Sequence, residues 1–326
     1  MHLPLPRALG RCVLAAALAL CAAAVQAADY PGQPLRLVVP FAAGGGSDVM
    51  ARIIADRLSQ RMKQPVVVEN KPGANATIGA DFVAKSAPDG YTMLHTSPGP
   101  QITNPYLMPR LPYDPVADLQ PVARLGVFVN ALVVTPSLPV KSVQELVEYA
   151  RAHPGELNFA SPGIGSGAHL AGEYLKRVMD IDIVHVPYQG TGAALQDLVA
   201  GNVQLSLDSV AAFMPMIQSG KLRALAVGYR ERSAALPDVP ALAEFYPGFD
   251  AAPMNYLSVR KGTPPEVLEK LNAEVNAVLA EPDVQRRLAE VGVLTSPSTV
   301  QEITEQVESE REKWRRIIEA AGMRKQ

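Results

Sequence analysis

From Leu35 onward the chain repeats one unit: a short β-branched or apolar run, a loop of Gly, Ser and Pro, then an amphipathic run with a period near 3.6 residues. Strand, loop and helix alternating in this way is the pattern of an α/β protein. It predicts strands over 35–39, 66–69, 92–95, 132–134, 158–160, 183–186, 205–207 and 224–227. Helix starts are marked by Thr263-Pro264-Pro265-Glu266, a hydroxyl cap with Pro in the first turn and Glu three residues on. Ser142 to Glu145 and Ser298 to Gln301 repeat the same spacing. Behind these starts, Val143, Leu146, Val147 and Ala150 form one apolar stripe, and Val267, Leu268, Leu271, Val275 and Leu279 another, both expected in the core. The charge-rich tail, 298–326, carries Trp314, Ile317 and Ile318 and reads as a surface helix folded back on a lobe.

Three of the strand-to-helix loops are built from Gly, Ser, Thr and Tyr. The first runs from Pro40 through Gly44, Gly45, Gly46 and Ser47 to Asp48, before a helix with Met50, Ile54, Leu58 and Met62 inward. The second runs from Ser161 through Gly163, Gly165, Ser166 and Gly167 to His169, before Leu170, Tyr174, Leu175 and Val178. The third is Pro187-Tyr188-Gln189-Gly190-Thr191-Gly192, before Ala194, Leu195, Leu198 and Val199. The first N–H groups of a helix have no intrahelical acceptor and sit at its positive end, so such loops are anion sites. A dipole contributes about 0.3–2 kcal/mol and each hydrogen bond to a charged group roughly 1.5–3 kcal/mol. Two or three ends around one anion therefore reach the roughly −8 kcal/mol of micromolar binding after association costs.

None of the three loops holds Lys or Arg, and the chain has no G-x-x-x-x-G-K-[ST], so a carboxylate fits better than a phosphate. A dinucleotide fingerprint with its ribose-binding acid is also missing. Asp48 would repel an anion if it pointed inward, and it reads instead as a helix-end charge favourable to the dipole. Neither Ser47, Ser161 nor Ser166 is flanked as G-x-S-x-G, which leaves a secreted serine hydrolase as a weak alternative. His95, His153, His169 and His185 show no H-E-x-x-H spacing, so no metal and no cofactor is assigned.

The 326 residues are 48% apolar, a length that favours two lobes, and the balance of 30 basic to 32 acidic residues argues against nucleic acid as a partner. Arg7 and Arg11 precede an uncharged run, 12–25, that ends in Val25-Gln26-Ala27. That is the pattern of a secretory signal, with cleavage expected after Ala27, and the run is short for a spanning helix. Both cysteines, Cys12 and Cys21, fall inside it, so the mature chain is expected to hold no disulfide.

At these residues the chain resembles the tripartite tricarboxylate transporter substrate-binding proteins, also called the Bug family of periplasmic receptors. The resemblance is carried by LRLVVPFAAGGGSD (35–48), PVVVENKPGANATIGA (65–80), PDGYTML (88–94), LPYDPVADLQPV (111–122), HPGELNFASPGIGSGAHL (153–170), HVPYQGTGAALQDLVAGNV (185–203), SGKLRALAV (219–227) and LPDVPALAE (236–244). It implies an α/β, two-lobed periplasmic binding protein of the Venus flytrap, type II-like kind, each lobe a sheet flanked by helices. Lobe 1 would be 28–129 plus 250–326 and lobe 2 130–249, with hinges near Val129 and Phe249. It further implies a ligand site of Ala43, Gly46 and Ser47, Ser97, then Ser161, Ser166 and His169, then Tyr188 and Gly190, and Asp208. The implied role is a non-enzymatic periplasmic receptor that hands a small organic acid or amino acid to the membrane subunits of a tripartite tricarboxylate transporter. A sensor partner that reports occupancy to a membrane kinase is the alternative within the same class. Ser47 stands where Thr is common in such proteins, and Ala252-Pro253-Met254-Asn255-Tyr256 stands where a Trp is often found. Such positions read the distal end of the ligand.

Overall fold

The computed structural model describes residues 30–323; the expected signal segment, its cleavage after Ala27 and both cysteines lie outside them. The elements run β1 (Leu35–Val39), α1 (Gly46–Met62), β2 (Val66–Asn70), α2 (Thr77–Ala84), β3 (Thr92–Thr96), a π turn (Gly99–Thr103) running into α3 (Asn104–Leu107), β4 (Leu119–Phe128) and β5 (Asn130–Val134). There follow α4 (Val143–Ala152), β6 (Leu157–Ser161), α5 (Gly167–Met179), β7 (Ile183–Pro187), α6 (Thr191–Ala200), β8 (Leu205–Ser209), α7 (Val210–Gln218) and β9 (Arg223–Val227). The chain ends in β10 (Met254–Arg260), α8 (Pro265–Leu279), α9 (Pro282–Glu290), β11 (Val293–Leu294) and α10 (Val300–Ala320).

These strands form two sheets, ordered β11-β4-β10-β3-β1-β2 and β7-β6-β8-β5-β9. The chain passes from the first sheet to the second after β4 and back before β10, so the first sheet is built from strands of both the early and the late parts of the described chain. The two passages lie side by side, the Phe128 N–H donating to the Pro253 carbonyl at 3.2 Å. On one face of the first sheet, α1, α8 and α9 bury Met50, Ile54, Leu58, Leu271 and Leu288. The second sheet is covered on one face around Phe159, Leu146 and Leu175 and on the other around Leu198 and Phe213. Both expected apolar stripes lie in these cores, with Leu268 partly buried.

All eight expected strands form, each within a residue or two of its expected bounds. Three others, β4, β10 and β11, did not stand out in the sequence. The ladder between β10 and β4 breaks register twice, and Pro121 and Gly126 sit at the breaks. Bulges of this kind tolerate a strand Pro or Gly and destroy the alternation by which a strand is read.

Two helix starts differ from the sequence expectation. Thr263 Oγ1 donates back to the Arg260 carbonyl at 2.8 Å, and α8 begins after Pro264 with no side-chain cap. Pro265 has no N–H, so the first turn asks less of a cap. At α10 the capping box is Thr299 with Glu302, one residue beyond the expected Ser298 and Gln301. Ser298 Oγ is engaged elsewhere, accepting from the Arg124 N–H at 3.0 Å. At α4 the expected cap forms: Ser142 Oγ accepts from the Glu145 N–H at 3.1 Å.

Candidate functional site

The topology fixes where a site can lie. In the first sheet β1 sits between β2 and β3, and in the second β6 sits between β7 and β8, all parallel. In each sheet the connections therefore leave in opposite directions from one strand pair, which opens a crevice at the carboxyl ends. The loops after β1, β3, β6 and β8 flank these two crevices, and between them lies a cavity of about 410 Å³.

Its walls come from both halves of the molecule. Gly46 and Ser47 at the start of α1 and Ser97 after β3 face Gly165, Ser166 and Gly167 at the start of α5, with Asp208 and Ser209 at the end of β8. No side chain caps α1, whereas Ser166 Oγ accepts from the His169 N–H at 3.2 Å and caps α5. Gly165 holds φ +78° beside Leu107 of the other lobe, a left-handed conformation that favours glycine. Among the lining residues there is no Lys, Arg or His, and Asp208 is the one ionisable group. Asp208 Oδ1 accepts from the Ser209 N–H at 2.8 Å and Oδ2 from Thr191 Oγ1 at 3.2 Å, and burial raises its pKa above the ordinary aspartate value.

Asp48 does not line the cavity. Its buried carboxylate accepts from Arg52 Nε and the Gly44 N–H, both at 2.9 Å, and from Asn70 Nδ2 at 2.8 Å. The hydrogen bond from Arg52, before the other contacts, holds its pKa down to about 2. The acid thus locks the first loop with its charge turned away from the crevice.

Of the other residues the sequence singled out, Ala43 is exposed and stands off the cavity wall. Ser161 is fully buried behind the wall, its Oγ 2.7 Å from His185 Nε2. That is the contact of a nucleophile and its base, but the hydroxyl has no open surface toward a substrate. His169 stacks on His185 with ring centroids 3.7 Å apart, and its Nδ1 accepts from the Gly165 N–H at 3.0 Å, supporting the second loop from beneath. Tyr188 turns its hydroxyl to Asp197 Oδ2 at 2.8 Å, and Gly190 is likewise off the wall. The third loop follows β7, an edge strand one position from the crevice. It reaches the site indirectly, through Thr191 and Asp208.

The cavity also takes residues outside the ligand set named from the sequence. Thr103, Asn130 and Asn255 line it, and so do Asn75 and Ala76 from the loop before α2. Ala74, Asn75 and Ala76 have φ of 46°, 51° and 68°, three successive left-handed residues without glycine. Such strain persists where the surroundings over-determine it. Here Asn104 does so, accepting from Asn75 Nδ2 at 2.7 Å and donating to the Asn75 carbonyl at 2.9 Å. Asparagine tolerates this conformation better than most residues, which was the one available signal. Pro253 and Asn255 fall in the stretch already noted as a departure near the ligand.

Burial, above all, holds His95, His169 and His185 at about 4. The unfolded value is near 6.5. Because the folded value is the lower, the stabilisation is complete above about pH 6.5 and is withdrawn as pH falls toward about 4. The raised carboxyls of Asp208, Asp250 and Glu173 act in the opposite sense. We expect the unfolding temperature to drop between about pH 7 and pH 4.5, and to drop less in His169→Asn, whose amide oxygen can still accept from Gly165. Equal drops in the two proteins would remove His169 from this account.

A crevice between two α/β lobes, walled by helix starts from each, defines a solute-binding receptor. The family model described as the tripartite tricarboxylate transporter family receptor matches residues 50–323, and the chain belongs to that family. It is 38% identical to protein BugT of Bordetella pertussis over 92% of this chain and 93% of that one. Among solved structures it is similar to R. palustris Rpa4515 with adipate, at 36% identity and a TM-score of 0.77, covering 91% of this chain and 100% of that one. It is also similar to MatC from Rhodopseudomonas palustris with bound malate, at 34% identity and a TM-score of 0.72, covering 89% and 100%. The family is one of periplasmic solute-binding receptors and not of enzymes.

Proposed function

We propose that the protein captures a small organic carboxylate between its lobes and presents the closed form to the membrane subunits of a tripartite tricarboxylate transporter. The observation that carries this reading is that α1 from one lobe and α5 from the other both begin at one cavity lined by no basic side chain. Backbone N–H groups and hydroxyls suit a singly charged carboxylate, whereas a phosphate usually recruits Lys or Arg. The volume is near the low end for small-molecule sites, which favours a compact acid. The adipate and malate in the two relatives add support.

In this reading lobe 1 is 28–129 plus 250–326, lobe 2 is 130–249, and closure turns about Val129 and the segment near Phe249. Two short adjacent passages, one running out and one back, form a hinge that absorbs a rotation while each sheet stays rigid. Export would follow from the segment 12–25, with cleavage after Ala27.

Thermal unfolding against mono-, di- and tricarboxylates, amino acids and aromatic acids tests the proposal. A ligand at 100 times its dissociation constant stabilises by about 2.7 kcal/mol, so a true cargo raises the unfolding temperature measurably. If no carboxylate shifts it, the reading fails.

A further inference from the structure

Charge balance in the cavity carries one step more. The starts of α1 and α5 each present about half a positive charge, together matching one carboxylate. Asp208 then adds a negative charge that no lining side chain offsets, since Lys, Arg and His are all missing from the wall. Its partners, the Ser209 N–H and the Thr191 hydroxyl, orient the group and leave each oxygen with a further lone pair. A second ionised carboxylate on the cargo would place two uncompensated anions in one partly desolvated crevice, whereas a cation there would complete the balance.

We propose that Asp208 is a specificity-determining residue that accepts hydrogen bonds from an ammonium group of the cargo, so that the cleft takes an amino-carboxylate in preference to a dicarboxylate of equal length. The cargo enters as a zwitterion: its carboxylate meets the helix starts, its ammonium meets Asp208, and the filled site has little net charge. The inference rests on the carboxylate reading above and goes beyond it by naming the second group.

Calorimetric titration with α- and ω-amino acids of three to six carbons, hydroxy acids and straight dicarboxylates of matching length decides the matter. The expected result is that the best amino acid binds the wild-type protein at least tenfold more tightly than its dicarboxylate counterpart. Asp208→Asn should weaken that amino acid at least tenfold and leave the dicarboxylate unchanged or tighter. A wild-type preference for the dicarboxylate or the hydroxy acid overturns the proposal alone. Binding of none of the three classes overturns the carboxylate reading itself. The wild-type ranking needs no variant, and the unfolding temperature of Asp208→Asn shows whether that protein is folded.

Discussion

Replacing Ser166 by tryptophan is expected to lower affinity for the cargo at least a hundredfold while the protein stays folded. Ser166 stands at the start of α5, half-buried, on the wall of a cavity of about 410 Å³. A tryptophan side chain is bulky and rigid and takes much of that space. The cost to the fold is smaller. The Ser166 backbone, at φ −65° and ψ 160°, is open to any residue, and what is lost is the hydroxyl cap on the His169 N–H. Removal of such a cap costs about 0.5–2 kcal/mol. Ser166→Ala separates the two effects, because it loses the cap and leaves the cavity open. Titration calorimetry beside thermal unfolding should show a large affinity loss in Ser166→Trp and a small one in Ser166→Ala, with similar stability losses. Undiminished binding in Ser166→Trp would place the cargo somewhere else.

The second large effect concerns α10. Trp314 is 5% exposed and belongs to one buried cluster with Ile102, Val127 and Tyr256 from the side of the first sheet and Leu170 and Tyr229 from the second. Its ring meets Tyr174 edge-on, and Tyr174 stacks on Phe249 at 4.7 Å beside the return passage. The indole N–H donates to Glu310 Oε2 at 2.8 Å. Truncating a buried Trp costs about 3–5 kcal/mol, through lost contacts and the cavity left behind. Trp314→Ala should therefore lower the urea midpoint substantially with an unchanged slope. Trp314→Phe, which keeps most of the packing, should lose much less. A loss below about 1 kcal/mol in the alanine variant would mean that α10 relaxes into the gap, and that it does not brace the lobes.

How much of this molecule could be read from its residues depends on whether a feature is local. The strands with short β-branched or apolar runs, such as Leu35–Val39, and the stripes beneath α4 and α8 follow from the local pattern. β4 did not, because its bulges at Pro121 and Gly126 are defined only against β10, a strand more than a hundred residues away. The same split runs through the site. Gly46, Ser47 and Ser166 announce themselves through Gly-rich helix starts. Asn75, Asn130 and Asn255 are single amides without a repeating pattern, and only the path of the chain assembles them.

The third Gly-rich loop makes the division clearest. Its composition matches the other two, and by itself it is as good an anion site. Yet β7 lies at the edge of its sheet while β6 and β8 flank the crevice, so Tyr188 and Gly190 stand off the cavity that Ser166 and Asp208 enter. Sequence alone determined the α/β class, the absence of a basic phosphate-binding loop and the supply of Gly-rich helix starts, because each is set by neighbours along the chain. Which of those starts share one cavity, and that a lone aspartate joins them there, was decided by strand order. Hydrogen bonding between distant segments sets that order, and no local pattern encodes it.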